Sequence, residues 1–75
     1  MPTITDTESL GLLIRKERKA QKLTQEQLAG LTGVGVRFVR ELEAGKESCQ
    51  VGRALQVAAS LGLTVSIGSR RESAP

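Results

Sequence analysis

The chain of 75 residues predicts an all-α fold, a small helical bundle with one short strand appended at its C-terminal end. Three observations carry this. Apolar residues recur at three- and four-residue spacing in successive segments between Leu10 and Leu61, which is the period of a helix with one face turned inward. Capping residues and glycines punctuate those segments where helices need to start and stop. Beyond Gly62 the pattern changes to strict alternation over Leu63, Thr64, Val65, Ser66 and Ile67, the period of a strand.

The first helix is set by Leu10, Leu13 and Ile14, which share one face, and the segment Arg15 to Lys22 that continues it is basic apart from Glu17. A second helix begins after Thr24. Thr24 and Gln27 have the spacing of a capping box, in which each side chain satisfies a backbone amide of the first turn. Leu28 and Ala29 face inward, and Ala29 is small enough to let another helix cross close over it. Gly33 stands where the chain leaves this helix, through a left-handed conformation that costs glycine little, and Val34 plugs the turn.

A third helix runs from about Val36 to Ala44, with Val39, Leu42 and the stem of Glu43 on one face and Arg37, Arg40, Glu41 and Ala44 on the other. It stops at Gly45, with Lys46 just beyond. Two short helices joined by a tight turn form a helix-turn-helix. An exposed face with two arginines and little bulk suits a major groove, where guanidinium groups make paired hydrogen bonds to guanine. Val36, Arg37, Arg40 and Glu41 are therefore the candidate base-reading residues. Glu41 either accepts from a cytosine amino group, pairs with Arg37, or discriminates against wrong sequences. Phe38, the only aromatic residue, lies on the flank and is expected to pack beside Leu42.

The run LTQEQLAGLTGVG followed by LEAGK resembles the Cro and phage-repressor class of helix-turn-helix proteins, the XRE family, over roughly Leu10 to Leu63. The resemblance implies a lambda-repressor-like bundle. It also implies that Gln25 lies against a DNA phosphate at a helix N-terminus, with Thr24 beside it, and that Lys46 makes a second phosphate contact. An arginine of the first helix pairs in this family with the glutamate of L-E-x-G-K, which maps onto Arg18 and Glu43. Three positions depart from the pattern. Lys22 replaces a common glycine and implies either a strained positive backbone angle or a different turn; Gly35 replaces the usual serine or threonine cap; and Thr32 replaces an apolar residue.

A fourth helix spans Val51 to Leu61, with apolar residues at Val51, Ala54, Leu55, Val57, Ala58 and Leu61 and a stop at Gly62. This stripe is wide for one small core and predicts burial against both its own domain and a second copy. The alternating segment Leu63 to Ile67 has no partner strand elsewhere in the chain, so it is expected to pair with the same strand of a two-fold mate. A repressor-like domain ending in a dimerising strand resembles the HipB-like antitoxins of toxin–antitoxin systems, which bind their own operator and a HipA-type kinase toxin. The reading that follows is a homodimer occupying an inverted-repeat operator of double-stranded DNA, its half-sites about 34 Å apart, with a HipA-type kinase as partner. A phage-type repressor, a restriction-modification controller protein, and an interaction module that mainly neutralises a kinase toxin are the alternatives.

Composition bounds these readings. A net charge of +3 favours a polyanionic partner without requiring one. With no histidine and one cysteine, Cys49, the chain cannot build an internal disulfide, a structural zinc site or histidine-based catalysis, so no enzyme activity, metal, cofactor or small-molecule ligand is expected. The lack of tryptophan and tyrosine argues against an RNA or single-strand stacking platform. No apolar run is long enough to span a membrane and no signal peptide is legible, which implies a cytoplasmic protein. The expected organisation is a flexible tail over residues 1–8, one DNA-binding and dimerisation domain over 9–68, and a second tail over 69–75 that carries Arg70 and Arg71.

Overall fold

Helix α1 (Thr7–Ala20) starts where Asp6 turns extended and its carboxylate accepts from the Ser9 backbone N–H at 2.7 Å, while Ser9 Oγ lies 3.2 Å from the Asp6 N–H. The Ser9 backbone N–H, with the Ser9 side chain second to it, holds the Asp6 carboxyl below its usual pKa. The computed structural model to which this helix belongs describes residues 3–69. Thr7 and Glu8, assigned above to a tail, are part of the helix. Thr7 Oγ1 donates to the Gly45 carbonyl at 2.8 Å, which ties the start of α1 to the turn that follows the third helix.

Helices α2 (Gln25–Thr32), α3 (Val36–Glu43) and α4 (Val51–Ser60) follow. The capping box of α2 is complete: the Gln27 N–H donates to Thr24 Oγ1 at 3.0 Å and the Thr24 N–H to Gln27 Oε1 at 2.8 Å. Gly35 caps α3 through its backbone alone. Thr32 turns its hydroxyl back onto the Leu28 carbonyl at 3.0 Å, which satisfies a polar side chain at a position where an apolar one was expected.

Each of the four helices among the described residues ends at a left-handed residue. At α1 that residue is Lys22, with φ of 59°, closed by bonds from the Lys22 N–H to Lys19 and the Leu23 N–H to Arg18. This is the Schellman pattern, and it settles the alternative in favour of positive backbone geometry at a non-glycine residue. Gly33, Gly45 and Gly62 serve the other helices.

The core gathers at the centre of the bundle from every helix. Ile14, Leu28, Val39 and Val57 are fully buried, and Ala29, Leu42, Ala54, Ala58 and Leu61 complete the cluster. Phe38 and Val36 pack half-buried against it. Gly11 lets α1 approach α3: a Cβ there would lie 2.8 Å from the Glu43 carbonyl oxygen, inside van der Waals contact. Full burial of one such aliphatic side chain stabilises the fold by about 1.5 to 3 kcal/mol.

Only part of the α4 stripe is inside. Ala54, Val57 and Ala58 are buried, whereas Val51 is 71% exposed and Leu55 48% exposed. The segment Leu63 to Ile67 forms no strand, and none is present among the described residues. Leu63 packs partly on the core, while Val65 and Ile67 are exposed. A strand exists through hydrogen bonds to a neighbour, and a single chain offers this segment none. Leu10, Leu13, Val51, Leu55 and residues 63–68 line a shallow, largely apolar groove. Arg70 and Arg71 lie outside the described residues.

Candidate nucleic-acid interface

The base of the helix-turn-helix is set by a buried ion pair. Arg18 Nε donates to Glu43 Oε2 at 2.6 Å and Arg18 Nη2 to Oε1 at 3.0 Å, while Arg18 Nη1 donates to the Leu23 carbonyl at 2.8 Å. Glu43 Oε1 also accepts from Gln25 Nε2 at 3.2 Å. One carboxylate on α3 therefore holds α1 and the first residue of α2, while Arg18 itself holds the turn before α2. The Glu43 bonds strengthen the hold of the Arg18 guanidinium on its proton. Among the described residues no buried side-chain polar atom lacks a hydrogen-bond partner, the condition under which an inward-facing charge pair is tolerated.

Outward from this base, α3 presents the residues singled out for reading bases. The Arg37 side chain is 90% exposed and that of Arg40 60% exposed. Arg37 Nε donates to Glu41 Oε1 at 3.1 Å, and Lys46 Nζ donates to Glu41 Oε2 at 2.6 Å. Lys46 and Arg37 both depress the Glu41 pKa, Lys46 the more strongly. Arg40 Nη2 stands 3.6 Å from Glu26 on α2, a loose pair. Val36 sits at the first turn of α3, half-buried.

The phosphate candidates fall into two settings. Thr24 is exposed at the start of α2, its hydroxyl accepting the cap bond. Gln25 is half-buried and donates to Glu43, so its amide orients the ion pair as well as the helix start. Lys46 is exposed but engaged by Glu41.

The structure also supplies what the sequence left unspecified. Arg15 lines a shallow polar cleft with Arg18, Gln25, Arg40, Glu43 and Ala44, so α1 adds an exposed cation beside the α2 N-terminus. The signal was the basic run from Arg15 to Lys22; which of its members faces the cleft depends on how α1 crosses α3. The second partner of Glu41 was likewise absent from the reading, because Lys46 lies five residues on, beyond a helix end.

This surface offers cations, amides and a protruding helix, the means to grip a phosphate backbone and reach into a groove. Among the described residues no group of three or more histidine, cysteine, aspartate or glutamate side chains is placed to hold a metal ion, and no helix is long and apolar enough to cross a membrane. Residues 14–67 match the family described as helix-turn-helix. The chain is also 48% identical over 66 residues to an uncharacterized HTH-type transcriptional regulator, y4mF, of Sinorhizobium fredii, an alignment that covers 84% of this chain and 87% of that protein.

Proposed function

The chain belongs to the XRE-type helix-turn-helix family of DNA-binding transcriptional regulators, which are not enzymes, and from that premise we propose that it is a sequence-specific repressor that acts as a homodimer on an inverted-repeat operator. One observation carries the reading: Arg37 and Arg40 extend into solvent from a short helix whose opposite face is locked to α1 by the Arg18–Glu43 pair. A rigid base and two exposed guanidinium groups are what reading guanine edges requires.

In this reading Arg37, Arg40 and Glu41 meet base edges, with Val36 beside them at the first turn. Thr24, Gln25, Lys46 and the cleft residue Arg15 set the register on phosphates. Repression follows from steric exclusion of polymerase in the cytoplasm, with no covalent step. The segment Leu63 to Ile67 pairs with its two-fold mate, and the exposed apolar residues Val51 and Leu55 favour a surface that another chain covers. The narrower role is that of an autoregulating antitoxin of a HipBA-type operon, with a HipA-type kinase toxin as second partner.

Fluorescence anisotropy on the purified chain tests the reading, with the duplex upstream of its own gene set against a scrambled duplex at about physiological salt. A preference of roughly a thousandfold supports an autorepressor. Equal weak binding to both would remove sequence-specific repression. Binding that persists unchanged in both Arg37→Ala and Arg40→Ala would move the reading face elsewhere.

A further inference from the structure

Glu41 is the residue whose placement the DNA-binding role does not by itself explain. It is a carboxylate on the face turned to a polyanion, and it holds two of the cations that a phosphate backbone would attract. Lys46 Nζ is bonded to one of its oxygens at 2.6 Å and Arg37 Nε to the other at 3.1 Å. Lys46 reaches back from the turn after α3, whose position is fixed by the Thr7 bond to Gly45 and by the Lys46 N–H donating to the Glu41 carbonyl at 3.1 Å. Backbone and side chain thus both bring Lys46 to Glu41. The Glu41 side chain is 29% exposed, against 90% for Arg37 and 50% for Lys46, so the anion is the shielded centre and the cations are its exposed rim.

We propose that Glu41 determines specificity by competing with DNA for its two cations, Lys46 with a phosphate and Arg37 with a base edge, releasing them when a base with an exocyclic amino group, cytosine N4 or adenine N6, takes their place on the carboxylate. This rests on the DNA-reading role and adds a gate to it. On a sequence that sets guanine O6 or thymine O4 opposite it, the carboxylate meets an acceptor that repels it, and it keeps its two cations. Backbone attraction is then reduced by the charges so withheld. On the right sequence the amino group satisfies the carboxylate, Lys46 turns to a phosphate and Arg37 to the neighbouring base. Base recognition and backbone grip are thereby coupled through one side chain, a device that rejects wrong partners more than it strengthens the right one.

The test is Glu41→Gln in the full chain, beside Glu47→Gln as a control of equal charge change at an exposed residue with no place in this cluster. Each is titrated against the duplex upstream of its own gene and a scrambled duplex over a series of KCl concentrations, after circular dichroism has confirmed the helices. Glu41→Gln is expected to tighten binding to the scrambled duplex by about tenfold, to steepen its salt dependence by about one to two counterions, and to narrow the preference for the upstream duplex. Glu47→Gln should leave the preference as it is. Unchanged affinity and salt slope on scrambled DNA would overturn the proposal, as would an equal effect of Glu47→Gln, which would show bulk charge at work. Loss of the unmodified chain's preference for its own duplex would instead overturn the repressor reading, while the salt slopes on scrambled DNA still decide the competition.

Discussion

At the junction of α1 and α3 the charged groups brought inside have partners within the chain, whereas along α4 apolar groups remain in solvent. Arg18 and Glu43 are buried and bonded three ways, to each other, to the Leu23 carbonyl and to Gln25. Val51 and Leu55 stand on the outer edge of α4, above a groove closed on one side by residues 63–68. The first region is closed within the single chain, whereas the second leaves apolar surface open, the surface that the proposed homodimer would cover. Rigidity at the reading helix comes from inside the protomer, and the α4 face is where a second chain has something to gain.

The largest effect should come from breaking the finished region. Glu43→Ala leaves the Arg18 guanidinium buried without its anion and is expected to cost about 3 kcal/mol. For a domain of this size that is a large share of the total stability, and urea denaturation followed by circular dichroism measures it. Gly11→Ala attacks the same junction through shape. Its added methyl meets the Glu43 carbonyl and forces α1 away from α3, at a cost of about 1 to 3 kcal/mol by the same measurement.

A smaller change of opposite sign sharpens the comparison at the end of α1. Lys22 holds a left-handed angle that a Cβ disfavours, so Lys22→Gly should raise the midpoint of urea unfolding by an amount worth up to about 1 kcal/mol. A value at or below that of the unmodified chain would mean that the lysine stem offsets its own strain. The smallest effect on the fold belongs to the unfinished region. Val51→Lys places a charge on an exposed position and should alter the stability of the isolated domain by less than about 0.5 kcal/mol. Under the proposed homodimer its consequence falls on self-association, and sedimentation equilibrium should show an association at least tenfold weaker than that of the unmodified chain. An unaltered association constant would take the α4 face out of the dimer.

What could be read before the structure followed the range of each interaction. The capping box of Thr24 and Gln27, the exit at Gly33 and the stop at Gly62 are local, and the residues that make them are adjacent in sequence. Arg18 and Glu43 are 25 positions apart, and their pairing enters the reading through family resemblance, because no periodicity connects them. Gly11 gives no sequence signal of its role, because a glycine inside a helix looks like a weak helix former until another backbone is seen against it. The start of α1 was placed too late because its apolar periodicity begins only at Leu10, although Asp6 and Ser9 already carried a capping spacing. The segment Leu63 to Ile67 has strand chemistry and no strand, since its conformation belongs to whatever it pairs with.

The side-chain contacts that orient α3 all come from upstream of it, whereas the core that keeps the domain folded is completed only downstream. Thr7, Arg18 and Gln25 position the reading helix, all upstream of it, whereas four of the nine core residues, Ala54, Val57, Ala58 and Leu61, arrive afterwards with α4. Between them runs an exposed connection in which Glu47, Ser48 and Gln50 are open to solvent. A protease that cuts there separates α4 and its share of the core from the rest of the bundle without removing a proposed DNA contact. In the proposed homodimer, a second chain lying on α4 would keep the severed half in place and so preserve the fold after such a cut.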